Sequence, residues 1–387
     1  MFSRPFVLLC LAMFLGYANQ WVITPTIPLY VQDRGGSAFL AGVALLAFSV
    51  PSFTVRPFVG RVADNWNAAG VLSVGLLLLA AGSLLFLVPL LAMVFVGGVV
   101  RGLGWAGLNT GGYTRLATAA PAQRRGEAAG YYTSATASAS IVFPALALWL
   151  LDGHGGFQLA FLLSAILALL GLPVAMSLAR DRVEAAVRVR TTDEPTPGKL
   201  IDRSVLLATG LNLCSTLTGP SVMAFLPLYA RSLDIGNIGL FYVLAGVTGL
   251  VIRPVLGKKS DAIGRGPSIA IGLGAQLIGL LFIIVAQGLA LILVGGFFFA
   301  VGTAMTSSVT TALAMDLANP RSRGQAMATF SISFQIGAGI GAIISGALAD
   351  LAGLRGMYAG SIAITVAGLA LLATAWKSLP RPIKAET

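Results

Sequence analysis

The chain has 387 residues, of which 57% are hydrophobic and only 10% are charged, and its mean hydropathy is +0.88. Because a soluble domain carries about a quarter charged residues, this composition excludes a soluble protein and predicts an integral membrane protein. The net charge is +11, but the basic residues lie in loops between apolar runs. We therefore expect the headgroups of the lipid bilayer as their partner, and no nucleic acid.

Twelve apolar runs follow one another, each long enough for a helix to cross a hydrocarbon core of about 30 Å. Helices are predicted because each span must satisfy its own backbone hydrogen bonds in lipid. The first run resembles a signal peptide, but it continues to Val31 without a small-residue cleavage site, so we interpret it as a retained helix. The predicted spans, numbered 1 to 12, are 5–31, 38–60, 70–91, 92–116, 127–151, 157–179, 204–230, 237–257, 267–287, 289–315, 325–349 and 357–376.

The sequence contains an internal repeat. Val55–Asp64 reads VRPFVGRVAD, and Ile252–Asp261 reads IRPVLGKKSD, so that Arg56 and Arg253 lie 197 residues apart. Pro-Leu-Tyr at 28–30 and 227–229 recurs at nearly the same offset, as does the Arg-Gly pair at 125 and 323. Such a repeat predicts two related halves. The predicted fold class is all-α integral membrane, with twelve transmembrane helices in two pseudo-symmetric six-helix bundles.

Four segments follow from this organisation. We predict an N-terminal half at 1–179, a cytoplasmic linker at 180–203, a C-terminal half at 204–376 and a cytoplasmic tail at 377–387. If both termini are cytoplasmic, that side collects 19 of the 25 basic residues. The bias predicts a multi-pass protein of the cytoplasmic (inner) membrane with both termini inside.

The loops after spans 2 and 8 share the pattern G-x-x-x-D, at 60–64 and 257–261. Together with twelve helices in two halves, this pattern resembles the major facilitator superfamily over the whole chain. The first copy lacks the downstream basic end of the family pattern, whereas the second is fuller. The resemblance implies a cytoplasmic gate, in which the aspartate accepts hydrogen bonds from the N-terminus of a facing helix. The alternative is that both aspartates only cap and solvate loops. The candidate gating residues are Arg56, Gly60, Asp64, Arg253, Gly257, Asp261, Arg265 and Asp316.

Span 4 contains Arg101 in the stretch RGLGWAG, which is similar to the family's signature in this helix. A buried arginine is costly in lipid and marks a candidate functional site, here a substrate clamp. The alternative is that its side chain snorkels to an interface.

The resemblance implies a substrate cavity between the halves, lined chiefly by spans 1, 4, 7 and 10. Span 10 carries hydroxyls at 303, 306, 307 and 310, which share one face of a helix. Span 1 offers polar residues at 19 and 20 beside a tryptophan. The alternative is that membrane hydroxyls bond their own backbone. The candidate substrate-binding residues are Asn19, Trp21, Arg101, Trp105, Asn109, Tyr131, Asn212, Thr216, Thr303 and Ser307.

No nucleophile–base pair, metal-ligand cluster or phosphate-binding loop is recognisable, and the one histidine, His154, lies in a short outer loop. We therefore expect no enzyme and no cofactor, with energy from an ion gradient. The resemblance implies protons for an exporter. Span 5 keeps only Pro144 of the family's antiporter motif, and no carboxylate lies in the middle of any span, which leaves Asp33 and Asp316 as fallback titrating groups.

Three functions are compatible with this sequence. The first is proton-coupled efflux of small amphipathic or weakly anionic organic molecules by alternating access. The second is import of a small organic anion or metabolite, and the third is a receptor-like membrane protein that does not transport. We expect a small-molecule substrate and a monomer.

Overall fold

The structure, a computed structural model, describes residues 3–65, 67–119, 125–180, 202–318, 323–376 and 379, and every regular element in these ranges is a helix. The predicted linker and tail lie almost entirely outside the described residues. In chain order the helices are α1 (Arg4–Asp33), α2 (Ala38–Thr54), α3 (Arg56–Asn65), α4 (Ala68–Leu85), α5 (Leu91–Ala119), α6 (Arg125–Leu151), α7 (Gly156–Arg180), α8 (Leu206–Leu217), α9 (Gly219–Met223), α10 (Leu226–Ser232), α11 (Gly239–Ile263), α12 (Arg265–Ile284), α13 (Leu289–Leu317) and α14 (Arg323–Thr374).

Each predicted span coincides with helix. Among the described residues, nine helical segments are long and apolar enough to cross a membrane, and α2 with α3 forms a tenth as a bent pair. A shorter apolar helix covers 239–252, and the segment 325–374 is long enough for two spans. The all-helical fold class and the lengths of the apolar helices thus match the expectation from apolar run length.

The helices depart from the twelve predicted spans in three places. Spans 11 and 12 are merged in α14 but separate at Gly353, whose φ of 73° belongs to the left-handed region that glycine adopts most readily. Span 7 is divided into α8, α9 and α10, with Pro220 and Pro227 near the starts of the last two. Span 2 bends by 45° between Thr54 and Arg56.

The two halves meet at one end of the bundle, which carries Arg34, His154 and Gly353 and is called the outer end here, after the predicted orientation. There α2 packs on α14, and α6 packs on α11. A Cβ at Gly42 would overlap the carbonyl of Ala342, so the backbones of α2 and α14 approach as closely as small residues permit. Among the described residues, α3 at the opposite end contacts α2, α4 and α5 of its own half. We interpret this arrangement as inward-facing.

Candidate substrate cavity

A cavity of about 440 Å³ lies between the halves at mid-depth in the bundle. It is walled by α1, α2 and α5 of the first half and by α8, α9, α13 and α14 of the second. Its lining is aromatic, aliphatic and hydroxylic, and none of its described lining residues is charged. The lining residues are Tyr17, Gln20, Trp21, Thr24, Leu45, Phe48, Ser49, Trp105, Ser215, Thr216, Gly219, Pro220, Met223, Ala224, Phe299, Thr303, Ser307, Phe334 and Ala338.

Aromatic rings line the cavity on the walls of both halves. The centroid of the Trp105 ring lies 4.7 Å from that of Tyr17 and 6.0 Å from that of Phe48. Phe299 and Phe334 lie on the wall supplied by the second half. Such a surface favours a flat apolar ligand, because aromatic side chains offer large apolar faces against which it can pack.

Five of the ten predicted substrate-binding residues line this cavity, namely Trp21, Trp105, Thr216, Thr303 and Ser307. The other five, Asn19, Arg101, Asn109, Tyr131 and Asn212, do not. Asn19 and Asn212 are fully buried inside their own halves, and Tyr131 is 46% exposed. On α13 the hydroxyl stripe is split, since Thr306 and Thr310 are fully buried away from the cavity and Thr310 donates to Asn212 Oδ1 at 3.1 Å.

Arg101 lies behind the cavity wall. Only 1% of it is exposed, and its guanidinium donates to Ser83 Oγ at 2.5 Å and to Gln20 Oε1 at 2.7 Å. A longer contact of 3.4 Å joins it to Ser164 Oγ, and the ring of Phe86 lies 5.7 Å from its centre. In the described part of the chain no carboxylate pairs with it. The positive charge is therefore solvated by neutral groups, and Gln20 connects it to the cavity.

Sequence reasoning missed part of the α1 face. Tyr17, Gln20, Trp21 and Thr24 line the cavity and are spaced i, i+3, i+4 and i+7. Asn19 points the other way and donates to Ser83 Oγ and to Ser164. The helical period could have assigned Gln20, and not Asn19, to the face that carries Trp21, because consecutive residues of a helix point in different directions.

The hydroxyls of the cavity also satisfy their own helices, as the alternative interpretation held. Thr24 donates to the Gln20 carbonyl at 3.0 Å, Ser49 to the Leu45 carbonyl at 3.0 Å and Thr303 to the Phe299 carbonyl at 2.9 Å. A hydroxyl whose proton is used in this way still offers a lone pair. These groups therefore face the cavity as acceptors.

The predicted gating residues lie at the opposite, inner end of the bundle. The side chains of Asp64, Arg253, Gly257 and Asp261 lie outside what the structure describes, so the gate stays a prediction. Arg56 Nε donates to the Ser52 carbonyl at 3.0 Å, and nothing would contact a Cβ at Gly60 within 4 Å.

Arg265 and Asp316 form an ion pair at 2.8 Å. Both residues belong to the second half, on α12 and α13, so this pair does not join the two halves. It is partly exposed, and exposed pairs contribute little to stability.

At the outer end an aspartate accepts hydrogen bonds from the N-terminus of a helix in the other half, which is the type of contact predicted for the inner gate. Asp350 on α14 accepts hydrogen bonds from the backbone N–H groups of Ala38 and Phe39, each at 2.9 Å, at the first turn of α2. A carboxylate is favoured there by the helix dipole and by free N–H groups. The internal repeat could have drawn attention to Asp350, because Asp152 in the first half lies 198 residues before it, which is the offset of the repeat.

Comparison with known proteins is consistent with this architecture. The family model of the Major Facilitator Superfamily matches residues 9–293 and 223–387. This chain belongs to the Major Facilitator Superfamily. It is therefore a multi-pass membrane transporter that carries a small-molecule substrate, and not an enzyme.

Two superfamily relatives are exporters or resistance proteins by name. The staphylopine export protein of Staphylococcus aureus is 21% identical over 98% of this chain and 97% of its own length. The quinolone resistance protein NorA of the same species is 23% identical over 93% of each chain. A solved structure of a bacterial homolog of the human lysosomal transporter Spinster, inward-facing and unoccupied, superposes with a TM-score of 0.76 over 98% of this chain and 99% of its own. At 14% identity, this likeness supports the fold of twelve helices in two bundles alone.

Proposed function

We propose that this transporter exports small amphipathic molecules, neutral or weakly anionic, across the cytoplasmic membrane in exchange for protons. The observation that carries the proposal is the cavity between the halves, whose described lining is aromatic and uncharged. An ammonium group would be disfavoured there, because the described lining offers it no acidic partner and the positive charge of Arg101 lies one hydrogen bond away. The names of the staphylopine export and quinolone resistance relatives support the outward direction.

Alternating access follows from the way in which the halves meet. Their described contacts lie on the outer side of the cavity, so that a substrate would enter from the inner side. Rocking the halves about the cavity would open α2 from α14 and α6 from α11. We expect a monomer with both termini cytoplasmic, in which the inner loops of the repeat close the opposite side.

The test is transport by the purified protein in liposomes with an imposed pH gradient. The substrates are a quinolone acid, its neutral ester and the lipophilic cation tetraphenylphosphonium. We expect gradient-dependent movement of the acid and the ester to exceed that of the cation. Selective movement of the cation would refute the proposal. Equal rates with and without the gradient would refute proton coupling.

Import of a small organic anion is the second candidate, favoured by the positive charge of Arg101, which is one hydrogen bond from the cavity. Export and import can be distinguished by comparing substrate accumulation in membrane vesicles of opposite orientation. Under a pH gradient directed as in the cell, an exporter concentrates the quinolone acid in inside-out vesicles, whereas an importer concentrates it in right-side-out vesicles.

A further inference from the structure

The hydroxyl groups that line the cavity offer it hydrogen-bond acceptors rather than donors. In addition to Thr24, Ser49 and Thr303, the hydroxyl of Ser215 donates to Gln276 Oε1 at 2.9 Å and that of Tyr17 donates to Asn109 Oδ1 at 2.8 Å. These protons already have protein partners, so the hydroxyls present lone pairs to the cavity. A ligand must therefore find its donors elsewhere on the wall.

Gln20 supplies such a donor because its amide has a defined direction. An arginine can only donate, so the atom that faces Arg101 at 2.7 Å must be the amide oxygen of Gln20. The Gln20 NH₂ group is left on the cavity side, where its one protein contact in the described residues is a long one, 3.4 Å to Thr24 Oγ1. The chemistry of Arg101 thus decides an amide orientation that geometry alone often leaves open.

Arg101 also strengthens this donor. A charged donor on the amide oxygen polarises the amide, which makes the opposite N–H groups better donors. No carboxylate among the described residues neutralises Arg101, so the positive potential extends through Gln20 into the cavity. Both effects favour a partner with oxygen lone pairs.

We propose that Gln20 is a specificity-determining residue that selects substrates with a hydrogen-bond acceptor, such as a ketone, ester, amide or carboxylate oxygen beside an aromatic ring. Arg101 is its positioning residue and does not itself touch the substrate. The proposal rests on the proposed function, since it assumes that the substrate occupies this cavity. It narrows the substrate class to flat apolar molecules whose oxygen lies against α1.

The experiment measures binding to the purified full chain in detergent by equilibrium dialysis. The probes are 2-acetylnaphthalene, its near-isostere 2-isopropenylnaphthalene, which lacks the carbonyl oxygen, and 2-naphthylmethylammonium. We expect the wild-type protein to prefer the ketone to the alkene by about three- to tenfold, which is the contribution of one net hydrogen bond. If the wild type binds none of the three probes, the proposed function fails and this inference fails with it.

Variants separate the inference from the function. In Gln20→Met the ketone-to-alkene ratio should fall to about one, while the affinity for the alkene stays close to that of the wild type. In Gln20→Glu the donor is replaced by an acceptor. The affinity for the ammonium probe should therefore rise, and the affinity for the ketone should fall. If both variants bind the ketone and the alkene in the wild-type ratio, the specificity role is refuted although the cavity still binds ligands.

Arg101→Met tests positioning. Without the guanidinium the Gln20 amide is free to rotate, so the preference for the ketone should weaken while the alkene binds as before. A merely structural role would lower the affinity for all probes by the same factor, and that result would overturn the positioning argument. Gln158→Met is the matched control, because this glutamine lies on the exposed surface of α7 outside the cavity and should leave the ratio unchanged. The unfolding temperature of each variant shows whether it is folded.

Discussion

Replacement of Asp350 by asparagine should release the outer closure of the transporter. The two oxygens of Asp350 each accept a backbone N–H from the first turn of α2, and the two helices belong to different halves. Asparagine has a similar shape, but it keeps one acceptor oxygen and turns its NH₂ group toward the other N–H. It also removes the negative charge that favours a helix N-terminus.

The free energy by which Asp350→Asn weakens the outer closure follows from the loss of one hydrogen bond and of one negative charge. A charge at an exposed helix N-terminus contributes about 0.3–1 kcal/mol, and loss of a capping bond costs about 0.5–2 kcal/mol. Because Asp350 is exposed to solvent, we take the lower part of this range, about 1–1.5 kcal/mol in total. The ratio of outward-facing to inward-facing protein should therefore rise by about five- to twelvefold.

The assay is a distance measurement between spin labels on the two outer ends, at Arg34→Cys and Arg355→Cys, with the native Cys10 and Cys214 replaced. Asp350→Asn should increase the population with the longer distance. Asp152→Asn is the matched control, because Asp152 occupies the equivalent place in the first half but its side chain forms no hydrogen bond or ion pair within the described residues. An unchanged distance distribution in Asp350→Asn, or an equal change in the control, would refute the capping argument.

Three further expectations concern the closures and the buried charge. Asp64→Asn and Asp261→Asn should insert normally but transport poorly, with cysteine labelling shifted toward the inward-open state; full transport by the double variant would contradict the inner gate. Arg101→Ala should be expressed at least as well as the wild type, because it removes a charge that costs about 2.5–3.5 kcal/mol in a membrane helix, and it should be inactive in the liposome assay. Misfolding of Arg101→Ala would instead assign this residue a structural role. Gly346→Val should separate the outer ends, since even a Cβ there would overlap the carbonyl of Ala38, and the same spin-label pair should report a longer distance.

Much of the fold is determined by the sequence alone. Run length and hydropathy locate the twelve spans, because the thickness of the bilayer and the need for internal backbone hydrogen bonds act on each segment separately. The internal repeat predicts two halves from local information as well, because it is recognised by matching short stretches of sequence. The cavity residues Thr303 and Ser307 follow from a spacing along one helix, which is also local.

The tertiary structure decides what each polar side chain meets. Asn19 and Gln20 are neighbours with similar chemistry, yet one is buried against α7 and the other faces the cavity, because the rotation of α1 is set by the helices packed around it. Arg101 was predicted as a clamp within the cavity, but the structure places it one hydrogen bond behind the wall. Asp350 caps α2 only because close backbone packing brings α14 to the start of that helix. These contacts join residues 81 and more than 300 positions apart, and no local pattern specifies such distances.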